Sequence, residues 1–552
     1  MSLLMISCAG QIPPSGGPPD RIPPTVIRTF PDSNAVRVST DRIILEFSKY
    51  VDRRSVEESI FISPYLGEME YAWSGEEVTM RFKDKLRPRT TYVVNVGTDV
   101  VDLREHNRMA SGFTLAFSTG DSIDQGLVRG KVHDDRPEGV MIFAYQLDNI
   151  RPDTLDPSRA RPDFIMQTGK AGDFTLSNLA MGTYRVFAVR DEYRNLIYDK
   201  EVDQIGMTSE DIILAGPRPR VEGVLFRLMR EDTTCPFVTT ASALTRRRVD
   251  LRFSEPLDSS RFSSAVFTIT DTLTRRTIPI ARAFWKQAQP PTVGIILAAP
   301  LDSPATYQVQ ATNVFDRAGN PLRTIGASTT FNGMLEADTL KPRLTILGMK
   351  DSSIAVLTDS SIPLEFSEPV EVAPVEHAVT LLDSLRRKVK YESRWDAPNR
   401  FILRPQRPLE PFAWYRLVVA MDSLENLRGG RYHDSTFILR FQTMDLRKTG
   451  GIEGKLVDNR NRGKGYVVRA QSVGLTPSYQ RRVVLESPGG FAIPLLLEGK
   501  YTIFAIEDID GSGNYNYGAP HPFTPAGRFA MYPDTVKVRA RWGVEGVSLE
   551  FR

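Results

Sequence analysis

The densest run of metal-competent oxygens in the chain is Asp508-Ile-Asp510-Gly-Ser512-Gly513-Asn514-Tyr515. Oxygen-bearing side chains stand at its first, third and fifth positions and glycine at its sixth. This is how a calcium loop opens, because a hard cation gathers carboxylate and hydroxyl oxygens and glycine permits the sharp turn. The twelfth position is Ala519, where such a loop wants a bidentate Glu, and no helical pattern flanks it. The same residues also suit a hydrogen-bonded Asx turn following a strand. Asp508, Asp510 and Ser512 are thus candidate calcium ligands, and calcium is the one cofactor considered. The remaining chemistry is sparse. Histidines occur at 106, 133, 377, 433 and 521, scattered through turn-like sequence. Neither His-Glu-x-x-His nor Gly-x-Ser-x-Gly occurs, and Gly451-Ile-Glu-Gly-Lys455 is too short for a phosphate loop and opens a strand pattern. The chain is read as carrying no catalytic residues and as not being an enzyme.

The two cysteines cannot build a disulfide framework or a four-thiolate zinc site. Cys8 ends a short apolar run, Met-Ser-Leu-Leu-Met-Ile-Ser7-Cys8-Ala9-Gly10, and a stretch rich in Pro and Gly follows from Pro13 to Pro19. The pattern resembles the end of a bacterial lipoprotein signal, where cleavage precedes a cysteine that is then acylated. Met5 stands where Leu is usual and no basic segment precedes the apolar run, so the translation start is expected upstream. The resemblance implies lipidation at Cys8. Acyl chains contribute roughly 0.8 kcal/mol per buried methylene, enough when several are attached to hold a protein on a membrane, and the Pro/Gly stretch would serve as the tether. Cys235 is expected to be a small strand residue.

With 552 residues, 41% hydrophobic and 25% charged, the chain has globular composition and room for several domains. Lys+Arg numbers 70 and Asp+Glu 67, a balance that argues against a nucleic-acid partner. No apolar run is long enough to cross a bilayer as a helix. The basic runs Arg246–Arg248 and Arg386–Lys388 are expected at solvated strand ends. Tyr515, Tyr517 and Phe523, near His521, form the richest loop cluster of aromatics, suited to a glycan platform or to a core.

Internal repetition carries the architecture. The phrases Arg42-Ile-Ile-Leu-Glu-Phe47-Ser, Arg248-Val-Asp-Leu-Arg-Phe253-Ser and Ser361-Ile-Pro-Leu-Glu-Phe366-Ser alternate apolar and polar residues, as half-buried strands do. Each is followed in order by a Trp (Trp73, Trp285, Trp395), then Leu-x-Pro or a relative of it (Leu86, Leu301, Leu409). A Tyr-led strand comes next (Tyr92, Tyr307, Tyr415), then an Asp-rich turn (Asp102, Asp316, Asp422) and a closing strand at Phe117, Phe331 or Phe441. The Phe, Trp and Tyr residues are expected to fill a core between two sheets. A second unit occurs twice: Gly130-Lys-Val matches Gly454-Lys-Leu, Gly172-Asp-Phe174 matches Gly489-Gly-Phe491, Gly182-Thr-Tyr184 matches Gly499-Lys-Tyr501, and Val221-Glu-Gly-Val224 matches Val544-Glu-Gly-Val547. In this alignment Asp191, Tyr193 and Asn195 stand at the calcium-loop positions, so only part of that pattern recurs.

The first unit resembles the SbsA-type bacterial Ig-like domain, although its first copy has Lys49-Tyr50 where the others read Glu-Pro. The second resembles the prealbumin-like, carboxypeptidase-regulatory-like sandwich. Together with the lipoprotein-like start, they resemble Bacteroidota envelope lipoproteins. The expected fold is all-β, five tandem β-sandwich domains: 1–21 signal remnant and tether, 22–120 Ig-like, 125–230 prealbumin-like, 233–334 Ig-like, 338–445 Ig-like and 450–552 prealbumin-like. The last repeat runs to Arg552, and short junctions predict a semi-rigid string. The resemblance implies a non-enzymatic, lipid-anchored outer-membrane protein that presents sandwiches to an envelope protein partner or gives structural support. The alternatives are an accessory subunit of an outer-membrane assembly or transport complex, and a carbohydrate-binding surface protein.

Overall fold

The computed structural model describes residues 20–148, 150–286, 290–302, 305–334, 336, 343–370, 372–424, 436–460, 465–475 and 478–551. Cys8, the tether, His433 and the 337–342 junction lie outside them. The fold is nearly all-β. Among the described residues ten sheets pair face to face into five tandem β-sandwiches, here numbered 1 to 5 in chain order. The α-helices are short, Arg53–Glu57 and Val372–Ala378, and among the described residues no helix is long and apolar enough to cross a membrane.

Sandwiches 1, 3 and 4 are built alike. One sheet of sandwich 1 runs Val26–Phe30, Arg42–Phe47, Glu77–Phe82, Met69–Ser74. Its counterparts hold Arg248–Phe253 and Ile362–Phe366 in the second place. Period-two alternation turns Ile43, Leu45 and Phe47 inward, and likewise Val249, Leu251, Phe253 and Ile362, Leu364, Phe366; all nine are at most 1% exposed. The facing sheet carries the Tyr-led strand. Tyr92, Tyr307 and Tyr415 stack on Phe117, Phe331 and Phe441 at 5.6, 5.7 and 5.7 Å between centroids.

Their phenols explain the spacing of the preceding Leu-x-Pro phrase. Each Tyr Oη accepts the backbone N–H five residues earlier, of Arg87, Asp302 or Glu410, at 2.8 Å. A buried ring thus has its polar end satisfied by the loop it pins. The three tryptophans depart from expectation. Trp73, Trp285 and Trp395 lie half-buried on the edge strands Met69–Ser74, Ile280–Lys286 and Tyr391–Ala397, packing against the core from its rim.

Sandwiches 2 and 5 share a second topology. A three-stranded sheet in each contains a parallel pair, Gly126–His133 with Arg220–Arg227 and Thr449–Asp458 with Gly543–Phe551, bulged at Glu222/Val224 and at Ile452/Gly454. The repeated Gly-Lys phrase has a steric cause. A Cβ at Gly130 would run into the Val224 carbonyl and the Phe174 ring, and one at Gly454 into the Val547 carbonyl and the Phe491 ring. The facing five-stranded sheets centre on Gly182–Arg190 and Gly499–Glu507. Tyr184 and Tyr501 are fully buried there and donate to the Ala180 and Leu497 carbonyls at 3.0 and 2.9 Å.

The sandwiches do not form an open string. Sandwich 1 meets sandwich 2 through Asn95 Nδ2 to the Ile165 carbonyl (2.9 Å) and the Ile165 N–H to Ser63 Oγ (3.1 Å). Sandwich 3 meets sandwich 4 through Arg248 and Glu368, and sandwich 4 meets sandwich 5 through Arg481 and Asp359. Sandwich 5 then folds back onto sandwich 2. Short linkers limit the angle at each junction without fixing its direction, so a string prediction misses this closure.

Replacing Tyr307 by Phe removes the latch on the Asp302 N–H. The expected cost is about 1 kcal/mol, the net worth of one hydrogen bond. It should appear as faster hydrogen exchange in Thr306–Thr312 and Ser328–Asn332, with strands of sandwich 1 unaffected.

Candidate functional site

The most elaborate constellation lies where sandwich 5 meets sandwich 2, and loop residues carry it. The chain leaves strand Gly499–Glu507, runs through the Asp508 loop and returns at Phe529–Met531. Within that excursion Ala526, 5% exposed, joins the apolar cluster on the outer sheet of sandwich 2 with Phe143, Phe187 and Ile205; Phe523 and Tyr515 pack at its edge. The Ala526 N–H donates to the Thr208 carbonyl at 3.0 Å. His521 Nδ1 lies 3.2 Å from the Leu155 carbonyl oxygen.

Two arginines of sandwich 2 are seated on rings of sandwich 5. The Arg185 guanidinium sits 3.7 Å from the Phe523 centroid, held by Asp211 at 2.9 and 2.8 Å and by the Pro152 carbonyl at 2.8 Å. The Arg227 guanidinium faces Phe504, Tyr515 and Phe529 at 5.2, 5.3 and 5.9 Å. Partly desolvated cation–π contacts of this kind contribute on the order of 1–2 kcal/mol. His133 meets Phe529 edge-on at 5.6 Å, and burial, with Lys131 and Arg227 nearby, holds its imidazole down at about 4.

Beneath the interface, Arg528 lies between Asp458 and Glu507, all at most 8% exposed. It reaches Asp458 at 3.0 and 2.6 Å and Glu507 at 3.0 and 3.1 Å, while Tyr466 donates to Asp458 at 2.7 Å. The site's solvent-facing side is a cavity of about 340 Å³ bounded by Thr208–Ile213, Val221–Leu225, Arg460 and Gly527–Phe529.

The Asp508 loop abuts this interface. Both Asp508 oxygens accept the Gly513 N–H (3.0 and 3.1 Å), Asp510 accepts from the Ser512 N–H (3.0 Å), and Ser512 Oγ from the Asn514 N–H (3.2 Å). Arg469 donates to the Gly513 carbonyl and the Asn514 amide. Backbone donors thus occupy the three candidate ligands, which is the Asx-turn pattern, and an ion there would compete with them. The corresponding Asp191 behaves alike, accepting from the N–H groups of Asn195 and Leu196 at 3.2 and 2.8 Å.

Other sequence candidates are dispersed. His106 occupies a turn and His377 the second helix. Cys235 lies in the segment before strand Val238–Thr245 rather than within a strand. The basic runs divide. Arg247 reaches the Ala298 carbonyl and Arg387 pairs with Asp383, but the Arg248 side chain, 13% exposed, bonds both Glu368 oxygens at 2.7 Å. Phe523 and Tyr515 are spent on the interface instead of forming a glycan platform. Sequence reasoning missed the partnership of Arg185 and Arg227 with these rings, because nothing local pairs an arginine with a loop several hundred positions later.

Comparison with known proteins agrees with the fold. Residues 20–119 and 338–443, sandwiches 1 and 4, match the bacterial Ig-like domain family. Sandwich 3 has the same strand pattern. No curated protein matches the chain. Among solved structures, the N-terminal part of the bacterial S-layer protein SbsC is 15% identical over 38% of this chain and 44% of that one, with a TM-score of 0.17. This chain therefore spans less than half of it. Domains 1–6 of SbsC are 9% identical over 94% of this chain and 66% of that one (TM-score 0.17). An L,D-transpeptidase from Mycobacterium smegmatis is 15% identical over 30% and 76% (TM-score 0.15). Likenesses this low carry no argument about activity. The chain is a tandem β-sandwich protein containing bacterial Ig-like domains.

Two outcomes follow from the interface. Ala526→Glu with Phe523→Ala places a charge against an apolar sheet and removes the ring under Arg185; small-angle scattering should show a larger radius of gyration, with each sandwich still folded by circular dichroism. For pH, His133 stays neutral down to about 4 when docked, first because it is buried, and release from Phe529 lifts it toward its ordinary 6.5 while Lys131 and Arg227 stay beside it. The released state binds more protons between these values, so docking weakens as pH falls from 6.5 toward about 4. His133→Phe should flatten that dependence in scattering or exchange data, whereas unchanged pH behaviour would assign it elsewhere.

Proposed function

We propose that the protein is a non-enzymatic, lipid-anchored component of the cell envelope, held at Cys8 in the outer membrane and presenting a closed set of sandwiches to an envelope protein partner or giving structural support. The observation that carries this reading is the use made of the reactive groups. Arg185, Arg227, His133 and Arg528 are each committed to holding sandwich 5 together or onto sandwich 2, which builds a rigid body and leaves its outer faces for recognition. The bacterial Ig-like segments and the lipoprotein-like start support an extracytoplasmic address, and sandwiches 2 and 5 are read as prealbumin-like accessory domains. Fold alone assigns no activity.

A second reading, an accessory subunit of an outer-membrane assembly or transport complex, is favoured by one feature. The first sandwich exposes Ile22, Ile27, Phe30 and Val36 at 70, 60, 44 and 44% on and around the edge strand Val26–Phe30. Free monomers rarely leave large apolar patches open.

Membrane fractionation tests the anchor. Cys8→Ser should move the protein from the membrane pellet to the soluble fraction, and metabolic labelling with a fatty acid should disappear with it. Membrane association that persists in the variant refutes lipidation as the attachment. Co-purification of the wild type with a membrane β-barrel after mild detergent extraction would select the second reading over a solitary anchor.

A further inference from the structure

The three Ig-type sandwiches treat one position in three ways. In sandwiches 1 and 3 the residue after the Phe-Ser of the repeated phrase lies by the chain segment entering the sandwich and near the Asp of the Asp-rich turn. Sandwich 1 has Lys49 there. Its Nζ reaches Asp20 Oδ2 and the Ile22 carbonyl, both at 2.6 Å, while Asn107 bridges Asp102 Oδ2 and the Asp20 carbonyl at 2.7 Å each. Sandwich 4 has Glu368, which takes its positive charge from Arg248 of sandwich 3.

Sandwich 3 repeats the Asn bridge and the entering Asx turn of sandwich 1 but reverses one charge. Asn320 bridges Asp316 Oδ2 and the Asp232 carbonyl at 2.8 Å each, as Asn107 does. Thr234 N–H donates to Asp232 Oδ1 as Ile22 N–H does to Asp20 Oδ1. At the place of Lys49 stands Glu255. Oxygens of Asp232, Glu255 and Asp316 all lie within 4.8 Å of one another. Glu255 Oε1 has no accessible surface and no hydrogen-bond partner. Burial, then Asp232 and Asp316, push the Glu255 carboxyl above its ordinary range. Arg230 and Arg323 line the solvent cavity beside Asp232, and neither pairs with the three carboxylates.

We propose that Asp232, Glu255 and Asp316 bind a hard divalent cation of the calcium class, which occupies the place of the Lys49 ammonium. Oxygen-only ligands, one from the entering segment and two from the sandwich, suit calcium over softer metals. The ion ties the segment between sandwiches 2 and 3 to sandwich 3, as Lys49 ties the entering chain to sandwich 1. Sites of this kind in extracellular modules bind at roughly 10⁻⁴–10⁻³ M.

The test uses the full chain in metal-free buffer, titrated with calcium chloride and followed by calorimetry and hydrogen exchange. Wild type should bind calcium and gain protection in the Asp316–Asn320 turn and strand Val238–Thr245. Glu255→Lys supplies the cation from the chain; it should lose that calcium response and show the protection without calcium. Glu255→Gln, a milder change that guards against misfolding, should weaken binding at least tenfold. Asp508→Ala with Asp510→Ala should leave the response in place. Absence of calcium binding by the wild type, a normal response in both Glu255 variants, or loss of the response in the Asp508/Asp510 variant alone overturns the proposal.

Discussion

The seating of Ala526 and Phe523 on the outer sheet of sandwich 2 decides the shape of the molecule. Without it, five sandwiches on short junctions would form an open string. With it, sandwiches 2 to 5 make a closed circuit, in which Arg248 with Glu368 and Arg481 with Asp359 are ionic links and this one is built on apolar packing. The part-exposed Arg481–Asp359 pair contributes little, and the attraction of Arg248–Glu368, 13 and 2% exposed, is largely offset by desolvation, so these links guide more than they bind. Apolar burial at Ala526, Phe523 and Tyr515, with two guanidiniums on rings, supplies the attraction. Because sandwiches 3 and 4 tether the partners, docking is intramolecular and the loss of translational freedom is already covered by the covalent chain.

The two partners are copies of one topology, and their cores are electrostatically permuted. In sandwich 2, Arg190 on the central strand pairs with Asp134 and also donates to Gln204 across the sheet at 2.8 Å. In sandwich 5 the central strand offers Glu507 at that register, and the guanidinium has moved to Arg528, just ahead of the neighbouring strand Phe529–Met531, facing Asp458. One guanidinium is thus kept while its place in the chain changes. The sandwich 5 version is drier. Its side chains are 7, 0 and 6% exposed, against 15 and 20% for Arg190 and Asp134. A buried network of this kind is strongly damaged by losing one member, since the remaining charge has no water to turn to. It also places Phe529, the next residue, against Arg227 and His133. Network and interface are therefore one mechanical unit.

The sandwiches were legible in the sequence because their cause is local. Ile43, Leu45 and Phe47 alternate with polar residues, and alternation is itself the burial pattern of a half-exposed sheet. Tyr92 and its Leu-x-Pro phrase could be read as a pair because the hydrogen bond spans five residues. Trp73, Trp285 and Trp395 read as core residues together with the Phe and Tyr, and they do pack against the core, but from edge strands; composition reveals apolar bulk but not which strand is an edge. The fold-back was illegible for a stronger reason. Tyr515, His521 and Phe523 sit in a loop without periodicity, and their partners Arg185, Leu155 and Arg227 look like ordinary strand and turn residues. Likewise, Asp232, Glu255 and Asp316 are far apart in the chain. Their meeting depends on the sheet pairing and on the bridge between Leu257 and Asp316.

Closure also determines which surfaces remain to be recognised. The aromatic loops of sandwich 5 are turned inward by docking. Among the elements that stay open is strand Val26–Phe30 of sandwich 1, a sheet edge. Unpaired edges invite strand addition from other chains. Here Arg28 is drawn across the strand by Glu46 at 2.7 Å and Glu77 at 3.2 Å, leaving a charged side chain between the exposed Ile27 and Phe30. A charge so placed discourages indiscriminate pairing while the two apolar residues remain available. The aromatic loops of sandwich 5 are thus spent on internal closure, while the edge of sandwich 1 keeps its apolar residues exposed.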